Sequence, residues 1–65
     1  MPDVELISSS FGGGWAIPLT DYARDCLEDF FQDDPAETPE GFGFIVEPQD
    51  VENLDKYLKE MELIT

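Results

Sequence analysis

Between Tyr22 and Phe31 the apolar residues fall at Tyr22, Ala23, Cys26, Leu27, Phe30 and Phe31. At about 100° per residue they fill one continuous half of a helical wheel. No other stretch constrains the fold as firmly, because a helix with so broad an apolar face must bury it against another element. Thr20 stands immediately before the stripe as an N-cap, and Asp21 occupies the first turn, where a negative charge suits the helix dipole. Asp33-Asp34-Pro35 closes the segment, since Pro35 restricts Asp34 and cannot continue the hydrogen-bond ladder.

The flanking segments supply the rest of a small domain. Val4 and Leu6 alternate with Glu5 and Ile7 in the period of a short strand. Gly12-Gly13-Gly14 interrupt it, and Trp15-Ala16-Ile17 form a second extended run stopped by Pro18. Residues 3–17 therefore read as a hairpin with a loose, glycine-rich connection. Residues 33–41, DDPAETPEG, read as an exposed acidic loop. Phe42, Phe44 and Val46 alternate with Gly43, Ile45 and Glu47 as a third strand. Pro48 and Asp50 then lead into a second helix striped by Val51, Leu54, Tyr57, Leu58 and Met61. The order is β-β-α-β-α. The expected fold is a single compact acidic α+β domain over residues 1–65, with a small three-stranded, mostly antiparallel sheet and two helices on one face. Their stripes are expected against Leu6, Ile17, Phe42, Phe44 and Val46. The face carrying Ile7 and Ile45 is left thinly covered, available to an oligomer or a partner, with a monomer as the expected state.

Composition removes several functional classes. A chain of 65 residues buries only about 60% of its unfolded surface, so its core is marginal. A hydrophobic content of 42%, with one Trp, two Tyr and five Phe, nevertheless suffices for a core and argues against disorder. Cys26 is the single cysteine, so no internal disulfide can form, and its place in the apolar stripe reads as a small core residue. The chain has no histidine, which rules out His-based catalytic triads and imidazole metal sites. No apolar run is long enough to cross a bilayer, and the N-terminal residues lack the pattern of a secretory signal. The expected location is the cytoplasm, and an acidic surface disfavours binding to anionic lipid. Gly12-Gly13-Gly14 lack the Lys-Ser/Thr of a phosphate loop, and no D-x-D-x-D-G calcium loop occurs. The expectation is a protein that is not an enzyme and carries no cofactor or metal. Phe11 and Trp15 flank the glycines and are either core or an apolar anchor for a partner.

Charge is the remaining signal. Sixteen acids against three bases give a formal net charge of −13, a field that repels nucleic acid and attracts proteins built to hold it. Its distribution is uneven. Asp21, Asp25, Glu28 and Asp29 lie within an arc of roughly 100°, opposite the apolar half of the first helix. Asp21 to Asp29 spans about 12 Å of helix axis, one carboxylate about every 4 Å, close to the roughly 3.4 Å between charges along a DNA strand. Asp21/Asp25 and Asp25/Asp29 are repulsive i,i+4 pairs, and Arg24 with Glu28 is the one opposing pair. Asp33 and Asp34 stand where the helix dipole disfavours negative charge. Glu37 and Glu40 continue the track, so residues 21–40 hold eight acids and one base. The second helix differs, with Glu52 before Lys56 and Asp55 before Lys59 in the favourable i,i+4 order.

In size, acidity and its uncompensated acidic helix the chain resembles the DNA-mimicking inhibitors of phages and mobile elements, most closely the small anti-CRISPR proteins directed at type I surveillance complexes. Asp21, Asp25, Glu28, Asp29, Asp33 and Asp34 chiefly carry the resemblance. It implies a stoichiometric, non-catalytic inhibitor whose partner is a basic nucleic-acid-binding protein or complex. The candidate binding residues are Asp21, Asp25, Glu28, Asp29, Asp33, Asp34, Glu37 and Glu40. Two other readings fit the composition: an immunity or antitoxin protein plugging the active site of one nuclease, and an acidic interaction module without inhibitory role.

Overall fold

The computed structural model describes residues 2–64. Strands β1 (Val4–Ser8) and β2 (Gly14–Pro18) form an antiparallel hairpin in which Leu6 lies opposite Ala16 and Ile7 opposite Trp15. Helix α1 (Asp21–Phe31) follows, then strands β3 (Ala36–Thr38) and β4 (Gly41–Val46). β4 pairs antiparallel with both β2 and β3, which gives the spatial order β1-β2-β4-β3. A single 3-10 turn over Pro48–Asp50 leads into helix α2 (Val51–Glu60). The α+β class holds, but the sheet has four strands where the sequence pattern implied three.

The additional strand comes from the segment expected to be a loop. Ala36–Thr38 is too short to show a period, and Pro35 and Pro39 on either side mask it. Thr38 closes the turn: its Oγ1 donates to the Gly41 carbonyl at 2.6 Å and accepts from the Glu40 N–H at 3.1 Å. The β1–β2 connection is likewise tighter than expected. Ser9 N–H donates to the Gly13 carbonyl at 2.9 Å, and Gly12 N–H to the Ser9 carbonyl at 3.2 Å. A Cβ on Gly14 would collide with the carbonyl of Ile7, so only glycine lets the two strands close at this end.

Strand alternation decides which side chains enter the core. Val4, Ala16, Phe44 and Val46 face the helices and are buried together with Ala23, Cys26 and Leu27 of α1 and Leu54 and Leu58 of α2. Both helices therefore cover the same face of the sheet. Ile17, expected inside, lies on the opposite face with Trp15, because the buried residue of β2 is Ala16. Leu6 and Phe42 fall on the helix side but at its margins, where 43% and 58% of each remains exposed. Trp15 is half-buried and is not part of the core. Phe31 stacks on Phe44 with ring centroids 5.3 Å apart. Phe30 contacts both Phe31 and Tyr57, and the Tyr57 hydroxyl donates to the Cys26 carbonyl at 3.2 Å, joining the two helices.

The helix ends follow local chemistry. Thr20 caps α1 as expected, its Oγ1 accepting from the Ala23 N–H at 3.1 Å. The helix ends at Phe31, ahead of Asp33-Asp34-Pro35, because Gln32 takes the left-handed conformation with φ 56° and its Nε2 donates to the Asp29 carbonyl at 2.6 Å. Beyond α2, Leu63 is buried, which the stripe ending at Met61 does not anticipate. Its N–H donates to the Leu58 carbonyl at 2.8 Å and its carbonyl accepts from the Asp3 N–H at 2.7 Å. The C-terminal residues are thereby tied to the start of β1. Among the described residues no helix is long and apolar enough to cross a membrane.

A candidate acidic interface

Burying Ala23, Cys26 and Leu27 turns the opposite side of α1 outward. Asp21, Asp25 and Asp29 are exposed there and Glu28 is partly buried. The left-handed turn at Gln32 brings the next two acids beside this surface. Asp25, Glu28, Asp29, Gln32, Asp33 and Asp34 line one open depression of about 590 Å³. Asp33 is held locally, its Oδ1 accepting from the Asp34 N–H at 2.8 Å. Five carboxylates thus converge, a grouping that sequence spacing alone does not give.

The other three candidates lie apart from the depression. Asp21 stands at the first turn of α1, Glu37 is in β3, and Glu40 is in the turn before β4; all three are exposed. The track read from the sequence is therefore divided into an α1 cluster and a pair of acids on the β3–β4 hairpin. Gln32 is the lining residue that a search for charge missed. Its signal is conformational, and a glutamine at a left-handed helix end is not a pattern that sequence reveals.

Neutralisation on α1 is weak. Arg24 lies 3.8 Å from Asp21 rather than against Glu28, and the Asp21 side chain is 95% exposed, a geometry that contributes little. Among the described residues, no other acid between Asp21 and Glu40 makes an ion pair. On α2, Lys59 meets Asp55 at 2.9 Å, as the i,i+4 order predicts, whereas the expected Glu52–Lys56 pair does not form. No group of three or more His, Cys, Asp or Glu side chains among the described residues is arranged to hold a metal ion.

Two tyrosines border the helix pair. The Tyr57 phenol is pushed above its ordinary value of 10.0, chiefly by burial and then by the neighbouring Cys26. Tyr22 is raised as well, chiefly by the adjacent Cys26 side chain. Elsewhere a groove of about 290 Å³ lies between the start of α2 and the β1–β2 hairpin, lined by Leu6, Val46, Val51 and Leu54 together with Glu52 and Asp55, and reaching Ile7 and Trp15.

Fold and charge together define a small two-layer α+β domain whose helical side carries an outward acidic cluster. No protein-family model matches the chain, and comparison with curated proteins and with solved structures gives no match.

Proposed function

We propose that this protein is a stoichiometric, non-catalytic inhibitor that uses the outer face of α1 and the turn after it to occupy the DNA-binding surface of a basic protein complex. The reading is supported most by one observation: five carboxylates from Asp25 to Asp34 border a single open depression, and none of them is paired among the described residues. Along α1 the carboxylates rise at about the interval of phosphates on a DNA strand. They stand on a helix, which holds their spacing more rigidly than a loop would. A groove shaped for phosphates offers lysine and arginine at matching positions, and releasing its counterions favours the complex. The favoured target is a type I CRISPR surveillance complex in the cytoplasm of a bacterial host, with a phage or mobile element as the source of the inhibitor. No chemical step, cofactor or direct contact with nucleic acid is required.

The test neutralises the helix without changing its shape. The variant Asp21→Asn/Asp25→Asn/Glu28→Gln/Asp29→Asn keeps the fold, because none of these side chains belongs to the core. It should no longer displace target DNA from a purified type I surveillance complex in an electrophoretic competition assay, while the unaltered protein displaces DNA steeply less well as salt rises. Full inhibition by the folded variant would refute the reading.

A further inference from the structure

The face of the sheet turned away from the helices carries a row of apolar side chains outside the buried core, of which Ile7, Trp15 and Ile17 are partly exposed and Ile45 is exposed. Ile7 lies opposite Trp15, and Trp15 opposite Ile45, so three large residues stand abreast across β1, β2 and β4. Ile45 is 60% exposed. Ile17 occupies the next row, its Cδ1 lying over Gly43; a Cβ there would stand 2.5 Å from the Ala16 carbonyl oxygen and 2.6 Å from Ile17 Cδ1, so the close approach of β2 and β4 requires glycine. Phe11 extends the platform from the hairpin turn, 51% exposed and edge-on to Trp15 with centroids 6.0 Å apart. In a chain this small, a contiguous aromatic and aliphatic surface left outside the core marks an interaction site.

The surrounding charges select what covers it. Glu5 lies opposite Ile17 on this face, and Glu47 follows the end of β4, its carboxylate accepting from the Gln49 side-chain amide. The three basic residues of the chain, Arg24, Lys56 and Lys59, all lie on the helices, in the other layer. A second copy would set these acids against their own kind, between two chains that each carry −13, with no cation at the seam. A neutral apolar surface would strip water from Glu5 without replacing it. We infer that the outer face of the sheet, centred on Trp15 and Ile45, docks an apolar patch ringed by lysine or arginine on a second protein. This surface points away from the acidic side of α1, so it is a second docking site and stands or falls separately from the first.

Trp15 is the only tryptophan and sits in the platform, so its emission reports occupancy directly. The probe is a synthetic tryptophan-free helical peptide with a Leu/Phe stripe flanked by lysines. Its controls are the same peptide with glutamate in place of lysine and an oligolysine of equal charge. The lysine peptide should shift Trp15 emission and the controls should not. Ile45→Gln should weaken the lysine peptide roughly tenfold. Phe11→Ser, outside the strand ladder, should weaken it in the same direction, with circular dichroism unchanged in both. The Asp21/Asp25/Glu28/Asp29 amide variant should retain the Trp15 shift, which separates this site from the α1 cluster. Equal binding of the glutamate peptide, an equal shift with oligolysine, or undiminished affinity in both folded apolar variants would overturn the inference. So would a sedimentation dimer dissociated by Ile45→Gln, which would assign the face to a second copy.

Discussion

The two helices solve one packing problem and leave opposite outer faces. α1 buries Ala23, Cys26 and Leu27, and α2 buries Leu54 and Leu58, into the same core. Outwardly, α1 carries four acids and one base, a net −3, whereas α2 carries three acids and two bases, a net −1, with Asp55 and Lys59 in contact. Because the inner faces are alike, packing does not require the difference. It lies entirely on surfaces free to serve something other than folding.

The comparison is broken most severely from inside. Leu27 and Leu58 are fully buried, one on each helix. Either Leu→Ala change should cost about 2–5 kcal/mol, enough to unfold much of a domain with so small a core. Thermal melts followed by circular dichroism would show it. A mild effect at Leu27 with a severe one at Leu58 would mean that the helices do not share the core equally, and the contrast would then extend beyond charge.

The inner faces were also the most legible part of the sequence. Of the stripe from Tyr22 to Phe31, Ala23, Cys26 and Leu27 are buried, Phe30 and Phe31 pack against them and the Thr20 cap forms, whereas Tyr22 at its start is 55% exposed. What was not legible has local causes. Trp15-Ala16-Ile17 is too short a run to set its own phase, and the choice of Ala16 for the core comes from its partners Leu6 and Phe44. β3 hid between two prolines. Leu63 enters the core through hydrogen bonds to Asp3 and Leu58, which a helical period cannot foresee. For the acidic site, spacing gave the α1 ridge, but the convergence of Asp33 and Asp34 depends on the backbone of Gln32.

A smaller effect tests the seam between the helices. The Tyr57 hydroxyl of α2 bonds to the Cys26 carbonyl of α1, and Tyr57→Phe should cost about 0.5–1.5 kcal/mol. Its pH dependence has a definite sign. Folding raises the phenol pKa above 10.0, so the neutral phenol favours the native state; this contribution is complete below pH 10 and is lost as pH rises through the folded value. Urea titrations across that window should show stability falling with pH, and less steeply in Tyr57→Phe. An unchanged slope would show that the ring, rather than its hydroxyl, joins the helices.

The smallest expected changes discriminate best, because the two outer faces should respond with opposite sign. On α1, Asp25 stands four residues from both Asp21 and Asp29, so Asp25→Asn removes two repulsive pairs and should stabilise the fold by a few tenths of a kcal/mol. On α2, Asp55→Asn removes an attractive contact of 2.9 Å and should destabilise by about 0.3–0.5 kcal/mol. Both effects should shrink in 1 M salt, where the screening length falls to about 3 Å. Paired denaturant curves at low and high salt would resolve them. If both substitutions stabilised, the total charge would outweigh its arrangement and α1 would hold no special place. If they diverge in sign and only the α1 change weakens competition with DNA, the repulsion along α1 is a folding cost tied to binding rather than a side effect of acidity.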